Sequence, residues 1–180
     1  IEITTIMSLL KIIDNPIQDI PLITVLRSSI GGFTDNELVE IRGNAKNISF
    51  YESVKNKYEE LKKDDEENKD AKITENQDLK NKLENFLNHL KKWQSEEKYM
   101  SLDEFIWQIY SDTNFYNYVT LLPNGSLRQA NLKILFERAK QYETASFKGL
   151  FNFINFIDKL HSSSGDLSSA KLIGENENVI

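Results

Sequence analysis

The sequence has no cysteine among its 180 residues. That absence excludes a disulfide scaffold, a cysteine-based zinc site and a thiol nucleophile. Histidine is scarce as well: His89 and His161 are the only two, which excludes a histidine-rich metal site. Three prolines and seven glycines are too few for a collagenous or Pro/Gly-rich disordered chain. No apolar run approaches the ~18 residues that a membrane span needs. The opening residues Ile1, Glu2 and Ile3 lack the basic segment and cleavage site of a secretory leader. Ile30-Gly31-Gly32-Phe33 is not followed by the Lys and Ser/Thr of a nucleotide cradle. Neither His-Glu-x-x-His nor Gly-x-Ser-x-Gly occurs. These absences predict a soluble, cytoplasmic, helical chain with no membrane partner and no metal ligands. They leave its activity open.

What is present is helical periodicity. Ile3, Ile6, Met7, Leu10 and Ile13 recur at i, i+3, i+4 and i+7. Asn15-Pro16 breaks that helix, and Ile20 to Ser28 begins another with Pro21 in its first turn. Four segments show capping-box spacing: Thr34 with Glu37, Ser49 with Glu52, Thr74 with Gln77, and Ser101 with Glu104. Leu79, Leu83, Phe86, Leu87, Leu90 and Trp93 form one apolar stripe, and Phe105, Ile106, Ile109 and Tyr110 the next. Pro123-Asn124-Gly125 is a turn. Leu127, Leu132, Leu135, Phe136, Ala139 and Tyr142 mark a further helix, and Phe147 to Leu160 a last long one. The fold class predicted is all-α, an irregular domain of about eight or nine helices. A short helix over 167–172 and a strand starting at Val179 are also expected.

The charges are uneven. Lys and Arg number 22 and Asp and Glu 28, for a net −6. Residues 1–48 carry −2, residues 49–111 carry −4, and residues 112–180 balance, while 124–160 alone carry +3. Residues 64–72 form a charge run almost without apolar side chains, which predicts a flexible charged loop.

No constellation carries chemistry. The carboxylates lie on charged faces, whereas acid–base work needs one held in a perturbing site with a partner. His89 borders an apolar stripe and reads as a half-buried structural residue; His161 suits a helix C-terminus. Trp93, Trp107 and the cluster Phe115, Tyr116, Tyr118 could stack on bases, but at helical spacing they read as core. Arg128, Lys133, Arg138, Lys140 and Lys148 could meet phosphates, or could simply be surface cations.

Several blocks, in order, resemble a known family. Ser8-Leu9-Leu10-Lys11-Ile12-Ile13-Asp14-Asn15-Pro16, then Asp19-Ile20-Pro21-Leu22, then Val25-Leu26-Arg27-Ser28 resemble the start of the accessory (2B) subdomain of UvrD-like DNA helicases. Gly125-Ser126-Leu127-Arg128-Gln129-Ala130-Asn131-Leu132 resembles that group's Gly-x-x-Arg-x-x-Asn-Leu signature. Phe136-Glu137-Arg138-Ala139, Tyr142-Glu143, Ser146-Phe147 and Gly149-Leu150-Phe151 with Phe153 are most similar to AddA-type helicase/nucleases. Residues from about Asn44 to Gln94 look like a variable insertion.

The resemblance implies that residues 1–180 are one helical accessory subdomain of a longer chain, left before Ile1 and re-entered near Val179. It implies a parent that unwinds and resects DNA in double-strand-break repair and recombination, using ATP and Mg²⁺ bound outside this piece. It implies no catalysis and no cofactor within the piece. The expected partners are double-stranded DNA bound weakly without sequence preference, the parent's motor domains, and an AddB-like partner subunit. A helical protein-interaction module that never touches DNA is the alternative. In the family a Gly-Ile-Gly turn offers its amides to duplex phosphate. The matching stretch here is Gly32, Phe33 and Thr34, with Thr34 replacing the second glycine and serving as a helix cap. Gly125, Arg128, Asn131 and Leu132 form the structural motif, with Arg128 either bonding loop carbonyls or meeting a phosphate.

Overall fold

The computed structural model describes residues 1–45, 47–67, 74–144 and 149–164. Helices are the only regular elements among them, in agreement with the all-α expectation. The chain divides into two compact units, one of Thr4–Met100 and one joining Ile1–Ile3 to Ser101–Ile180. The expected short helix at 167–172 and the strand at Val179 lie outside the described residues.

Helix α1 (Glu2–Asp14) belongs to the first unit from Thr4 onward and buries Ile6, Leu9, Leu10, Ile12 and Ile13 there. It stops where Asn15 turns the chain: the Ile17 amide donates to Asn15 Oδ1 at 3.1 Å, and Pro16 cannot continue a helix. Helix α2 (Asp19–Arg27) holds Pro21 in its first turn, where a missing N–H costs nothing, and buries Leu22, Val25 and Leu26. Helix α3 (Asp35–Arg42) opens on a complete capping box. The Thr34 amide donates to Glu37 Oε2 at 2.7 Å, and the Glu37 amide to Thr34 Oγ1 at 3.3 Å. The other Glu37 oxygen accepts from Lys82 Nζ at 2.8 Å, so one carboxylate both caps α3 and ties it to α5 (Thr74–Glu96).

Helix α4 (Phe50–Glu67) is capped twice. Asp19 Oδ1 accepts from the Phe50 amide at 2.8 Å, and Ser49 Oγ accepts from the Glu52 amide at 3.2 Å. The helix runs through Glu67, so residues 64–67 are helical rather than part of a loop. Residues 68–72 of the expected loop lie outside the described residues. Helix α5 buries Leu79, Leu83, Phe86, Leu90 and Trp93 as its stripe predicts, and Phe33 meets Phe86 edge-to-face at 6.4 Å. His89 is exposed rather than half-buried and stacks on Trp93 at 5.4 Å.

In the second unit, α6 (Leu102–Thr113) buries Leu102, Phe105, Ile106, Ile109 and Tyr110. Ser101 is its N-cap but makes no side-chain cap bond. Glu143 satisfies a different first-turn amide, accepting from the Leu102 N–H at 2.9 Å. After Asn114, which adopts the left-handed conformation at φ 52°, come α7 (Phe115–Tyr118) and a 3₁₀ turn, Val119–Leu121. Helix α8 (Gly125–Glu143) buries Asn131, Leu132, Leu135 and Ala139. The buried Tyr110 hydroxyl donates to the Leu132 carbonyl at 3.0 Å. Burial, with Tyr116 nearby, pushes that phenol well above its usual range. Helix α9 (Leu150–Ser164) adds Leu150, Phe153, Ile154 and Ile157 to the core.

Gly125 is fixed by crowding. A Cβ there would fall onto the backbone carbonyl of Thr120, so only glycine lets the first turn of α8 abut the 3₁₀ turn. Gly125→Ala is expected to lower unfolding free energy by about 1–3 kcal/mol, measured by urea denaturation of the 180-residue chain. Alanine is otherwise the better helix former by about 1 kcal/mol, so an unchanged or raised stability would show that this close approach does not constrain the fold.

Candidate functional site

Arg128 and Asn131 stand three residues apart on α8 and so share a face. What they share it for is Glu2. Arg128 Nη1 donates to Glu2 Oε2 at 2.6 Å, and Asn131 Nδ2 donates to Glu2 Oε1 at 2.7 Å. Arg128 Nε also donates to the Pro123 carbonyl at 2.9 Å, which fastens the turn preceding its own helix. The Glu2 carboxylate therefore has each oxygen taken by a different side chain. Burial works to raise its pKa, but the hydrogen bonds from Asn131 and a backbone amide, the charge of the adjacent N-terminal ammonium and the Arg128 hydrogen bond outweigh it and hold the carboxyl below its ordinary value of 4.5. Leu132, beside Asn131, is fully buried. Asn131 Oδ1 is buried without a hydrogen-bond partner and borders a cavity of about 10 Å³, roughly the space of one water molecule.

Sequence reasoning paired Arg128 with loop carbonyls or phosphate and missed Glu2. A signal was available: position 2 lies in phase with the buried Ile6, Leu9 and Ile13 of α1, so its carboxylate occupies a core-facing slot where a charge needs partners.

The remaining cations are placed differently. Lys133, Arg138 and Lys140 are exposed on α8, and none makes an ion pair among the described residues. Lys148 lies outside the described residues. The structure thus brings Arg128 and Asn131 together with Glu2 and leaves Lys133, Arg138 and Lys140 exposed on the same helix, with Arg138 lining the small cavity beside Asn131.

The turn at Gly32, Phe33 and Thr34 uses its own donors. The Gly32 amide donates to the Ser28 carbonyl at 2.8 Å, the Phe33 amide to the Leu26 carbonyl at 2.9 Å, and the Thr34 amide to Glu37. Gly32 sits at φ +69°, and the Phe33 side chain is buried. Each of these amides thus has an acceptor inside the turn or the cap, and Thr34 is the helix N-cap as expected.

Trp107 also departs from expectation. It is 47% exposed, not core. Its indole lies 5.4 Å from Tyr116 and 5.6 Å from Phe136. Together with Asp103, Glu104 and Lys133 these rings line an open groove of about 520 Å³. Among the described residues no group of three or more His, Asp or Glu could hold a metal ion, and no helix is long and apolar enough to cross a membrane.

No family model matches the chain. Individual relatives do, and those are ATP-dependent helicase/nucleases. In particular, the chain is homologous to one segment of the AddA protein of those enzymes. It is 54% identical over 192 residues to the ATP-dependent helicase/nuclease AddA of Clostridium botulinum strain Loch Maree. It is likewise 54% identical over 180 residues to the protein of that name from Thermoanaerobacter pseudethanolicus. Each match takes in 99% of this chain, but the chain spans only 15% and 13% of those proteins. The all-helical architecture fits the UvrD-like accessory subdomain expected from the sequence blocks.

Removing the guanidinium strands a buried carboxylate. Arg128→Ala is expected to cost about 2–3 kcal/mol, below the ~3–5 of a fully buried pair because the Arg128 side chain keeps 20% exposure. The depressed Glu2 pKa fixes the sign with pH. Its stabilisation is complete above about 4.5 and is lost as pH falls through the lower folded value. Glu2→Gln is expected to flatten the acid limb of stability below that pH, measured by thermal unfolding between pH 7 and 3. An acid limb as steep as wild type would mean the carboxylate is not the coupled group.

Proposed function

We propose that this chain is a non-catalytic accessory segment of an ATP-dependent DNA helicase/nuclease acting in double-strand-break repair and recombination. There it guides duplex DNA past the motor, docks the partner subunit, or does both. The observation that carries the reading is homology along 99% of the chain to helicase/nuclease AddA proteins. The sequence has no Gly-rich phosphate loop, so the ATP and Mg²⁺ that the longer protein would use are assigned to residues outside this chain. Duplex guidance would rest on Lys133, Arg138 and Lys140, whose ammonium and guanidinium groups face solvent along α8. Arg128 and the Gly32 turn are less suited to it, because their donors are satisfied internally.

A second reading, a helical interaction module that does not contact DNA, is favoured by the same satisfied donors and by the net charge of −6. Duplex binding draws its strength from neutralised phosphates, and three exposed cations offer few.

The two readings part on a duplex titration. The isolated chain is expected to bind duplex DNA at low salt with a Kd on the order of 10⁻⁴ M or weaker, the range of non-specific binding. Replacing Lys133, Arg138 and Lys140 together by Ala should weaken it further and reduce the salt dependence by about 0.9 in log–log slope for each phosphate no longer neutralised. Fluorescence anisotropy with a labelled duplex reads both. Wild-type binding undiminished in the triple variant would remove these cations of α8 from the DNA role. No binding by either would favour the interaction module.

A further inference from the structure

We propose that the groove between α6 and α8 docks an arginine side chain presented by a protein partner. The sequence builds the groove by helical spacing. On α6, Asp103 and Glu104 precede Trp107 by four and three residues, so both carboxylates lie on the indole's side of the helix. On α8, Lys133 and Phe136 are three apart and form the facing wall. Tyr116 of α7 closes the base, 5.4 Å from the indole and stacked 5.8 Å from Tyr110. The rings fix one another: Phe136 and Tyr110 meet the indole at 64° each. An indole nearly half exposed is held in place by three aromatic neighbours, so a docking ligand finds it already ordered.

The charges select the occupant. Asp103, Glu104 and Lys133 make no hydrogen bond or ion pair among the described residues. Two carboxylates beside an aromatic face suit a cation, and they repel phosphate. A guanidinium answers both features, because it is planar, weakly hydrated, stacks on aromatic rings and pairs with carboxylates through parallel N–H donors. A base of single-stranded DNA would stack equally well on Trp107 but would bring its phosphate against Asp103 and Glu104. Lys133, on the opposite wall, suits a backbone carbonyl or carboxylate of the same docked segment and sets its direction. The inference does not depend on duplex guidance, since the cations proposed for that role other than Lys133 lie outside the groove.

The test uses the ¹⁵N-labelled 180-residue chain. It has two tryptophans, so its spectrum carries two indole N–H signals, and Trp107→Phe assigns them. The probes are acetyl-Gly-Arg-Gly-amide, the same peptide with citrulline, and a single-stranded oligothymidine. Citrulline keeps the shape of arginine and removes its charge. The arginine peptide is expected to shift the Trp107 signal along a saturable curve, with a Kd on the order of 10⁻³ M for one anchor residue. The citrulline peptide should bind at least fivefold more weakly. Asp103→Asn with Glu104→Gln should weaken the arginine peptide by a similar factor, with the rest of the spectrum showing the fold intact. Equal shifts from arginine and citrulline would overturn the proposal, and so would tighter binding of oligothymidine at Trp107. Should the double variant lose its fold, the arginine and citrulline comparison on wild type still decides. Failure of duplex binding in the anisotropy experiment leaves this outcome untouched.

Discussion

The second unit depends on one carboxylate. Glu2 is buried, and a buried carboxylate without partners costs several kcal/mol. Its two oxygens are answered by Arg128 and Asn131, which lie 126 and 129 residues further along the chain. The start of α1 therefore holds its place in that unit only when α8 is formed and correctly turned. The Gly-x-x-Arg-x-x-Asn-Leu pattern then reads as four parts of one joint. Gly125 lets α8 begin against Thr120, and Arg128 fastens the turn at Pro123 while reaching Glu2. Asn131 takes the second oxygen, and Leu132 supplies apolar packing behind it. A lysine at position 128 would keep the charge and lose the fork that reaches both acceptors at once.

The first unit is governed by donor accounting. Backbone N–H groups at helix starts and turns need acceptors, and here acidic side chains supply several. Glu37 answers the Thr34 amide, and Asp19 answers the Phe50 amide across 31 residues of sequence. A turn whose donors are satisfied in this way is well ordered, and it has little left to offer an anion. At residues 32–34 the fold uses these hydrogens internally. The exposed cations of α8 carry no such prior commitment.

Much of the fold was legible in the sequence because helical periodicity is a local property. The stripe of α5 was readable from Leu79 to Trp93, and the Thr34–Glu37 box was readable from its spacing. Ser101–Glu104 has the same spacing, yet the Leu102 amide is answered by Glu143, 41 residues away. A capping pattern states what a side chain can reach, and at Ser101 that bond is not made, while a distant carboxylate answers the neighbouring amide. The shared face of Arg128 and Asn131 was likewise legible, while Glu2 as their partner was not, since pairing across the chain leaves no trace in spacing. Trp107 was misread for a different reason. Its neighbours Phe105, Ile106 and Ile109 fix the buried arc of α6, and position 107 falls off that arc. Helical spacing with other aromatic residues reads as core, but the phase of position 107 against that arc places its indole at the surface.

The two tryptophans divide between the two units. Trp93 is 2% exposed in the first, stacked under His89, and Trp107 is 47% exposed in the second, among tyrosines and phenylalanine. Each unit thus contains a single indole, and the two differ in polarity of surroundings and in access to solvent. Their emission differs in wavelength and in collisional quenching for that reason. The molecule carries a separate optical gauge for each half, so the order in which its halves lose structure can be followed without attaching any dye.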